Sequence, residues 1–270
     1  MSNETEHEKE EAQVEANTPP PARIVHATIA RQGEEELARP RTSLFWSGAA
    51  ASIALMASVS ACGALQAALP DTPWRIAVVA LGYPIGFLIV VLGRLQLFTE
   101  QTVIAFIPFA REPTLAKFGQ LMRLWVLVLL GNFTGAAAVS AFSAYGHTQS
   151  PEMLNGMIGY AHELQTRSAL AILMRGVPAG FLLASVAWIR SASNDTGFSI
   201  VFVLTYVIAL CGWTHVVAGA DEAFLLMWTG HASLGWVVGA FLLPALIGNI
   251  IGGTGLFAVL AHAQVSHSKI

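Results

Sequence analysis

Hydrophobic positions along this chain gather into long runs, unlike the short alternations of strands or the half-apolar faces of soluble helices. A helix needs about twenty apolar residues to cross the roughly 30 Å hydrocarbon layer of a bilayer. Leu44 to Leu69 carries no charge and predicts a first span, Ile76 to Gly93 a second that stops at Arg94, and Leu124 to Tyr145 a third. Ser168 to Ile189, interrupted only by Arg175, predicts a fourth, and Phe198 to about Leu210 a fifth. Between Ala223 and Gln264 there is no Asp, Glu, Lys or Arg, a run about twice as long as one crossing needs. A break at Gly230, His231, Ser233 and Gly235 divides it into a short apolar piece, Ala223 to Thr229, and a sixth span, Trp236 to Ala261. A matching short piece, Val103 to Ala110, follows the second span after the polar stretch Gln96 to Gln101.

The two halves of this pattern repeat. Gly131-Asn132-Phe133-Thr134-Gly135 in the third span and Gly248-Asn249-Ile250-Ile251-Gly252 in the sixth share G-N-x-x-G at a separation of 117 residues, and Thr99 and His215 in the two breaks are 116 apart. Three spans per half is an odd number, so the halves insert with opposite topology. The expected fold is an all-α integral membrane protein: six transmembrane helices as two inverted three-helix repeats, with the second and fifth helices broken. Such a pattern belongs to transport proteins. Gly131, Gly135, Gly248 and Gly252 predict helix faces in close contact, with Asn132 and Asn249 hydrogen-bonding across them.

Composition strengthens the membrane reading. The chain is 54% hydrophobic and 11% charged, far below the roughly 25% charge of soluble domains. Nine of its 17 carboxylates fall in the first forty residues. Residues 1–42 therefore read as a cytoplasmic, acidic, largely disordered tail, with helix confined to Ile29–Leu37 before Pro40. Residues 43–264 form the six-span channel domain and 265–270 a short cytoplasmic C-terminus. Lys and Arg in the flanking loops fall mostly on one side, which puts both termini in the cytoplasm. The net charge of −3 comes without a basic stripe for nucleic acid. Cys62 and Cys211 lie in apolar runs and imply no disulfide. No cluster has metal-ligand spacing, no cofactor loop follows a strand, and no nucleophile or carboxylate pair converges, so neither metal, cofactor nor enzyme activity is expected.

The breaks carry the candidate chemistry. Non-helical backbone at membrane depth persists only inside protein or beside a water-filled cavity, and half-helix N-termini favour an anion there. His215 is an imidazole near mid-depth; the plain alternative is a neutral core histidine bonded to a carbonyl. Arg94 and Arg175 are charges within apolar runs, which predicts bundle-facing or cavity-facing positions with Glu100, Asp221 or Glu222 as partners. A structural Arg94–Glu100 pair is equally open. Asp221 and Glu222 read as caps that begin the half-helix following them.

Together these residues resemble the formate/nitrite transporter family over about Leu44 to Ala263. Leu97-Phe98-Thr99 looks like the family's L-F-T, Gly212-Trp213-Thr214-His215 resembles its G-F-E-H, and Gly248-Asn249-Ile250-Ile251-Gly252-Gly253 is similar to its sixth-span motif. The resemblance implies an aquaporin-like protomer in a homopentamer, in the plasma membrane or the inner membrane of a prokaryote. It implies passage of a small monovalent weak-acid anion such as formate or nitrite, with His215 and Thr99 on the pathway and a proton moving through the central histidine. It further implies that Tyr83, Phe87, Phe98, Ile208 and Leu183 narrow the pore. The chain departs from the family in carrying Gln96 before L-F-T, Thr214 before the histidine, Leu164 with Arg167 nearby at the vestibule, Gly219 and Gly180 at polar positions, and Arg94 for a small residue. Two other readings remain: a pore for a small neutral solute, against which stands the lack of any Asn-Pro pair, and a membrane receptor or scaffold docking through its tail.

Overall fold

The computed structural model describes residues 18–192 and 197–266, and these contain helices and no strands. Helix α1 covers Ala22–Ala38 and α2 covers Arg41–Ala68. The second crossing is α3, Arg75–Leu92, followed after a short extended stretch by α4, Phe98–Ile104, and α5, Phe106–Arg111. Helix α6 spans Leu115–Tyr145, α7 Pro151–Ala161 and α8 Ala169–Ala192. The fifth crossing is split into α9, Gly197–Leu210, and α10, Val216–Trp228. The last, α11, runs Trp236–Val265 and widens into π-helical turns at Trp236–Leu242 and Ile251–Ala258.

Five of these helices, α2, α3, α6, α8 and α11, are long and apolar enough to cross a bilayer alone. Helix α9 has 14 residues, about 21 Å at 1.5 Å per residue, and reaches full depth only together with α10. The apolar run from Ala223 breaks at a turn centred on Gly230, whose φ of +80° is a conformation glycine adopts at no steric cost.

Glycine sets the distance between helices. Gly131 and Gly135 of α6 lie so close to the Phe45 and Ala49 carbonyls of α2 that a Cβ would overlap them. Gly248 and Gly252 of α11 sit likewise against the Leu173 and Val177 carbonyls of α8. Each half thus has its first and third crossings in backbone contact.

The N-terminal region corrects the sequence reading. Helix extends over Ala22–Ala38 and not merely Ile29–Leu37, while residues 1–17 and 267–270 of the expected tail and C-terminus lie outside the described residues. Val25, Ile29, Gly33 and Leu37 recur every fourth position and are buried on one face. The run Glu34-Glu35-Glu36, which dominates the composition there, turns largely to the polar side. Glu34 pairs with Lys117, Arg123 donates to the Leu37 carbonyl, and Glu36 pairs with Arg39 at 3.2 Å. Gly33 meets the Ile104 carbonyl and Pro108, so α1 lies directly on α4 and α5. An apolar face built partly of glycine and alanine is what the composition concealed.

Candidate functional site

Each broken crossing stops in the same way. Helix α3 ends with the Leu95 N–H donating to the Val90 carbonyl, and α9 with the Trp213 N–H donating to the Ile208 carbonyl, both 2.9 Å. This six-to-one closure needs a left-handed residue just before it. In the second break that residue is Gly212, at φ +61°. In the first it is Arg94, at φ +54°, a conformation that costs a side-chain-bearing residue about 1–2 kcal/mol.

The half-helices restart with matching geometry. Leu97 (φ −103°, ψ 121°) precedes α4 and His215 (φ −107°, ψ 125°) precedes α10. The structural equivalent of His215 is therefore Leu97, and Thr99 is the second residue of its own half-helix. Asn132 accepts from the Phe98 N–H at 3.1 Å and donates to the Gly48 and Gln96 carbonyls at 2.8 and 2.9 Å. Asn249 accepts from the Val216 N–H at 2.8 Å and donates to the Gly176 and Thr214 carbonyls at 2.8 and 2.9 Å. Each asparagine thus satisfies backbone groups that the break strips of helical partners.

Two side chains join the breaks. Thr99 Oγ1 and His215 Nε2 are 2.7 Å apart and both residues are buried. The other ring nitrogen, Nδ1, lies 3.1 Å from the Ala218 amide nitrogen. A backbone N–H can only donate, so Nδ1 accepts, and the proton of the neutral ring sits on Nε2 and is donated to Thr99. A second proton on Nδ1 would displace the cap of α10. His215 is built as a hydrogen-bond donor toward Thr99, whose own hydroxyl hydrogen remains available.

Side chains fill the space around this pair. Phe87 meets the His215 ring edge-on with centroids 5.1 Å apart, Tyr83 lies 5.0 Å beyond Phe87, and Phe98 packs edge-on against Trp125 at 5.6 Å. Phe87, Phe98, Leu183 and Ile208 are all buried and line neither of the two cavities that approach from opposite sides. Tyr83 lines one of them.

The larger cavity, about 200 Å³, reaches Thr214 and His215 and is lined further in by Tyr83, Tyr160 and Glu222. Its mouth carries two ion pairs, Arg75–Asp71 at 3.6 Å and Arg167–Glu163 at 3.4 Å. Leu164 is buried beside it. The smaller cavity, about 160 Å³, lies on the α1 side, between Glu36, Arg94, Gln96, Glu100, Gln101 and Arg190. There Gln96 donates to Glu36 and accepts from Gln101, both at 2.9 Å.

Several expectations are corrected here. Arg94 and Glu100 share a cavity but form no ion pair among the described residues. Among the described residues Arg175 has no carboxylate partner; it is exposed at the helix surface and donates to the Gly212 carbonyl at 3.3 Å, a cation set against the C-terminal end of α9. Asp221 and Glu222 do not begin a half-helix. Helix α10 starts five residues earlier, so both lie inside it and His215 is its cap. Sequence reasoning missed this because the polar letters at Asp221 and Glu222 outweigh an apolar helix start at Val216-Val217-Ala218. Among the described residues no three His, Cys, Asp or Glu side chains gather as a metal site requires.

A model of the formate/nitrite transporter family matches residues 23–263. The chain is 34% identical over 251 residues to the inner membrane protein YfdC of Escherichia coli (strain K12), covering 93% of this chain and 81% of that one. It is 26% identical over 236 residues to the formate channel BtFdhC of Bacillus thuringiensis, covering 84% and 87%. Among solved structures, a pentameric formate channel with formate bound superposes with a TM-score of 0.71 at 15% identity, over 84% of this chain and 97% of that one. That likeness extends to an aquaporin-like protomer fold.

Proposed function

The chain belongs to the formate/nitrite transporter family, and from that premise we propose that it passes small monovalent weak acids across the membrane, formate being the first to test. The observation that carries this reading is the Thr99–His215 bond, which ties the two half-helices together where two polar cavities are separated by a dry, side-chain-filled stretch. A bare anion in such a stretch is costly by many kcal/mol, whereas protonating an acid about three pKa units below ambient pH costs roughly 4 kcal/mol. The neutral acid is the cheaper species to cross between Phe87, Leu183 and Ile208.

In this reading the solute enters from either cavity as an anion, drawn by the positive ends of the half-helices. It exchanges water for hydrogen bonds at Thr214, His215 and Thr99, and crosses the dry stretch with a proton. Gln96, held between Glu36 and Gln101, receives it on the α1 side. The protein works as a homopentamer after the manner of the solved channel, with α1 and both termini in the cytoplasm.

Flux of labelled formate and nitrite into proteoliposomes tests the reading, comparing the wild type with His215→Ala. Wild-type flux that depends on the acid supplied and on the pH gradient supports it, and equal flux in the two proteins removes His215 from the pathway. Vesicle swelling on a glycerol gradient without weak-acid flux would replace it with a neutral-solute pore.

A further inference from the structure

Glu222 stands on the same face of α10 as His215 and Gly219, at intervals of four and three residues, and all three line the larger cavity. At Gly219 the Phe241 ring packs directly on the backbone, where a Cβ would overlap it. Glu222 is 6% exposed and takes part in no ion pair among the described residues, although Arg75 and Arg167 are at the mouth with Asp71 and Glu163 already against them. Thr214, the residue before His215, lines the same cavity, and its Oγ1 is a buried hydroxyl without a hydrogen-bond partner among the described residues. A carboxyl, an unpartnered hydroxyl and the histidine thus share one cavity.

His215 itself is poorly placed to give up a proton and take another, because Nδ1 is committed to the Ala218 amide. An unpaired carboxylate out of water is costly, and the neutral acid is the form that avoids the cost. We propose that Glu222 is the proton donor of this pore, delivering a proton to the weak-acid anion held at Thr214 and His215. The proposal rests on the weak-acid reading above and assigns its proton to a side chain other than the histidine. In the step, the O–H bond of Glu222 breaks as an O–H bond forms on the solute carboxylate, the electron pair staying on Glu222. A proton from the medium, relayed by water at the cavity mouth, then restores the O–H bond of Glu222, and the neutral solute moves on past Phe87.

The groups facing Glu222 fit a donor that must be recharged. Tyr83 of α3 and Tyr160 of α7 line the cavity with it, Cys62 of α2 is near enough to feel its charge but donates its thiol to the Val79 carbonyl, Arg167 and Glu163 stand toward the mouth, and Asp221 is its neighbour in α10. Helices α6 and α11 bring no charged side chain to this cavity.

The test is uptake of labelled formate by proteoliposomes holding the full chain, at an acidic and a neutral external pH, for the wild type, Glu222→Gln and Glu222→Asp. Glu222→Gln is expected to lower flux about tenfold at neutral pH, with a smaller deficit in acid, where bulk water already supplies the neutral solute. Glu222→Asp is expected to recover part of the neutral-pH flux. A Glu222→Gln profile parallel to the wild type overturns the assignment. So does flux lost equally at both pH values in both variants, which would make the carboxyl structural. A wild type that carries no weak acid at either pH is a separate result, and it removes the weak-acid reading itself.

Discussion

The two breaks share a backbone and differ in what hangs from it. At the restart of the half-helix, Leu97 occupies the first and His215 the second, with φ and ψ within a few degrees of each other. One turn earlier, Arg94 sits where the second break has Gly212. The first break thus pays a conformational cost to put a cation at the α1-side cavity, and the second has a glycine there and places its chemistry at the cap. Architecture is symmetric in this molecule and chemistry is not, so the pathway has two different ends.

The shared architecture can be broken most severely at the asparagines. Asn249→Leu and Asn132→Leu each remove three buried hydrogen bonds, and each is expected to destabilise by about 3 kcal/mol or more, read as loss of folded protein in detergent thermal unfolding. If one variant folds normally, the two caps are not equivalent. Next in size, His215→Leu makes the second break resemble the first. It should cost about 1 kcal/mol of stability for the lost cap and on the order of tenfold in formate flux, equal to about 1.4 kcal/mol of barrier. Leu97→Ala, at the equivalent position, should leave the pH dependence of flux as it was.

Arg94→Gly sharpens the comparison in the other direction. It should raise thermal stability by about 1 kcal/mol, because the strained φ is relieved, while anion flux from the α1 side falls about twofold to threefold for want of the cation. Stability and flux moving together would deny Arg94 a role with solute.

The smallest effect expected concerns the docking of α1. His26 lies 3.1 Å from His262 of α11, near Trp188. Burial foremost, then His262 and Arg111, hold its pKa below the usual value of about 6.5. A folded-state pKa below the unfolded one means that this stabilisation is complete above about pH 6.5 and is lost as pH falls through the lower folded value. Protease cleavage near α1 should accelerate in that acid range, and His26→Phe should flatten the response.

Much of this was written in the residues. The charge-free runs located the crossings, the two G-N-x-x-G motifs marked the repeat, and the polar stretches marked the breaks. What stayed hidden depended on three-dimensional partners. Thr99 and His215 pair in space, yet the backbone equivalents are Leu97 and His215, a register two residues away that only φ, ψ and the asparagine bonds display. Asp221 and Glu222 look like a helix start because acids favour one, whereas the true start is apolar and capped from within by imidazole. Helix α1 was masked by its glutamates, whose partners Lys117 and Arg39 cannot be assigned from composition.

The reach of the asparagine caps bears on how the chain is made. Asn132 bonds to Gly48, Gln96 and Phe98, and Asn249 to Gly176, Thr214 and Val216, so each cap closes entirely within its own half. A nascent chain can complete the first half as soon as α6 has left the ribosome, without waiting for the second. The Thr99–His215 contact is then a late event of biogenesis, formed when two finished halves meet in the lipid.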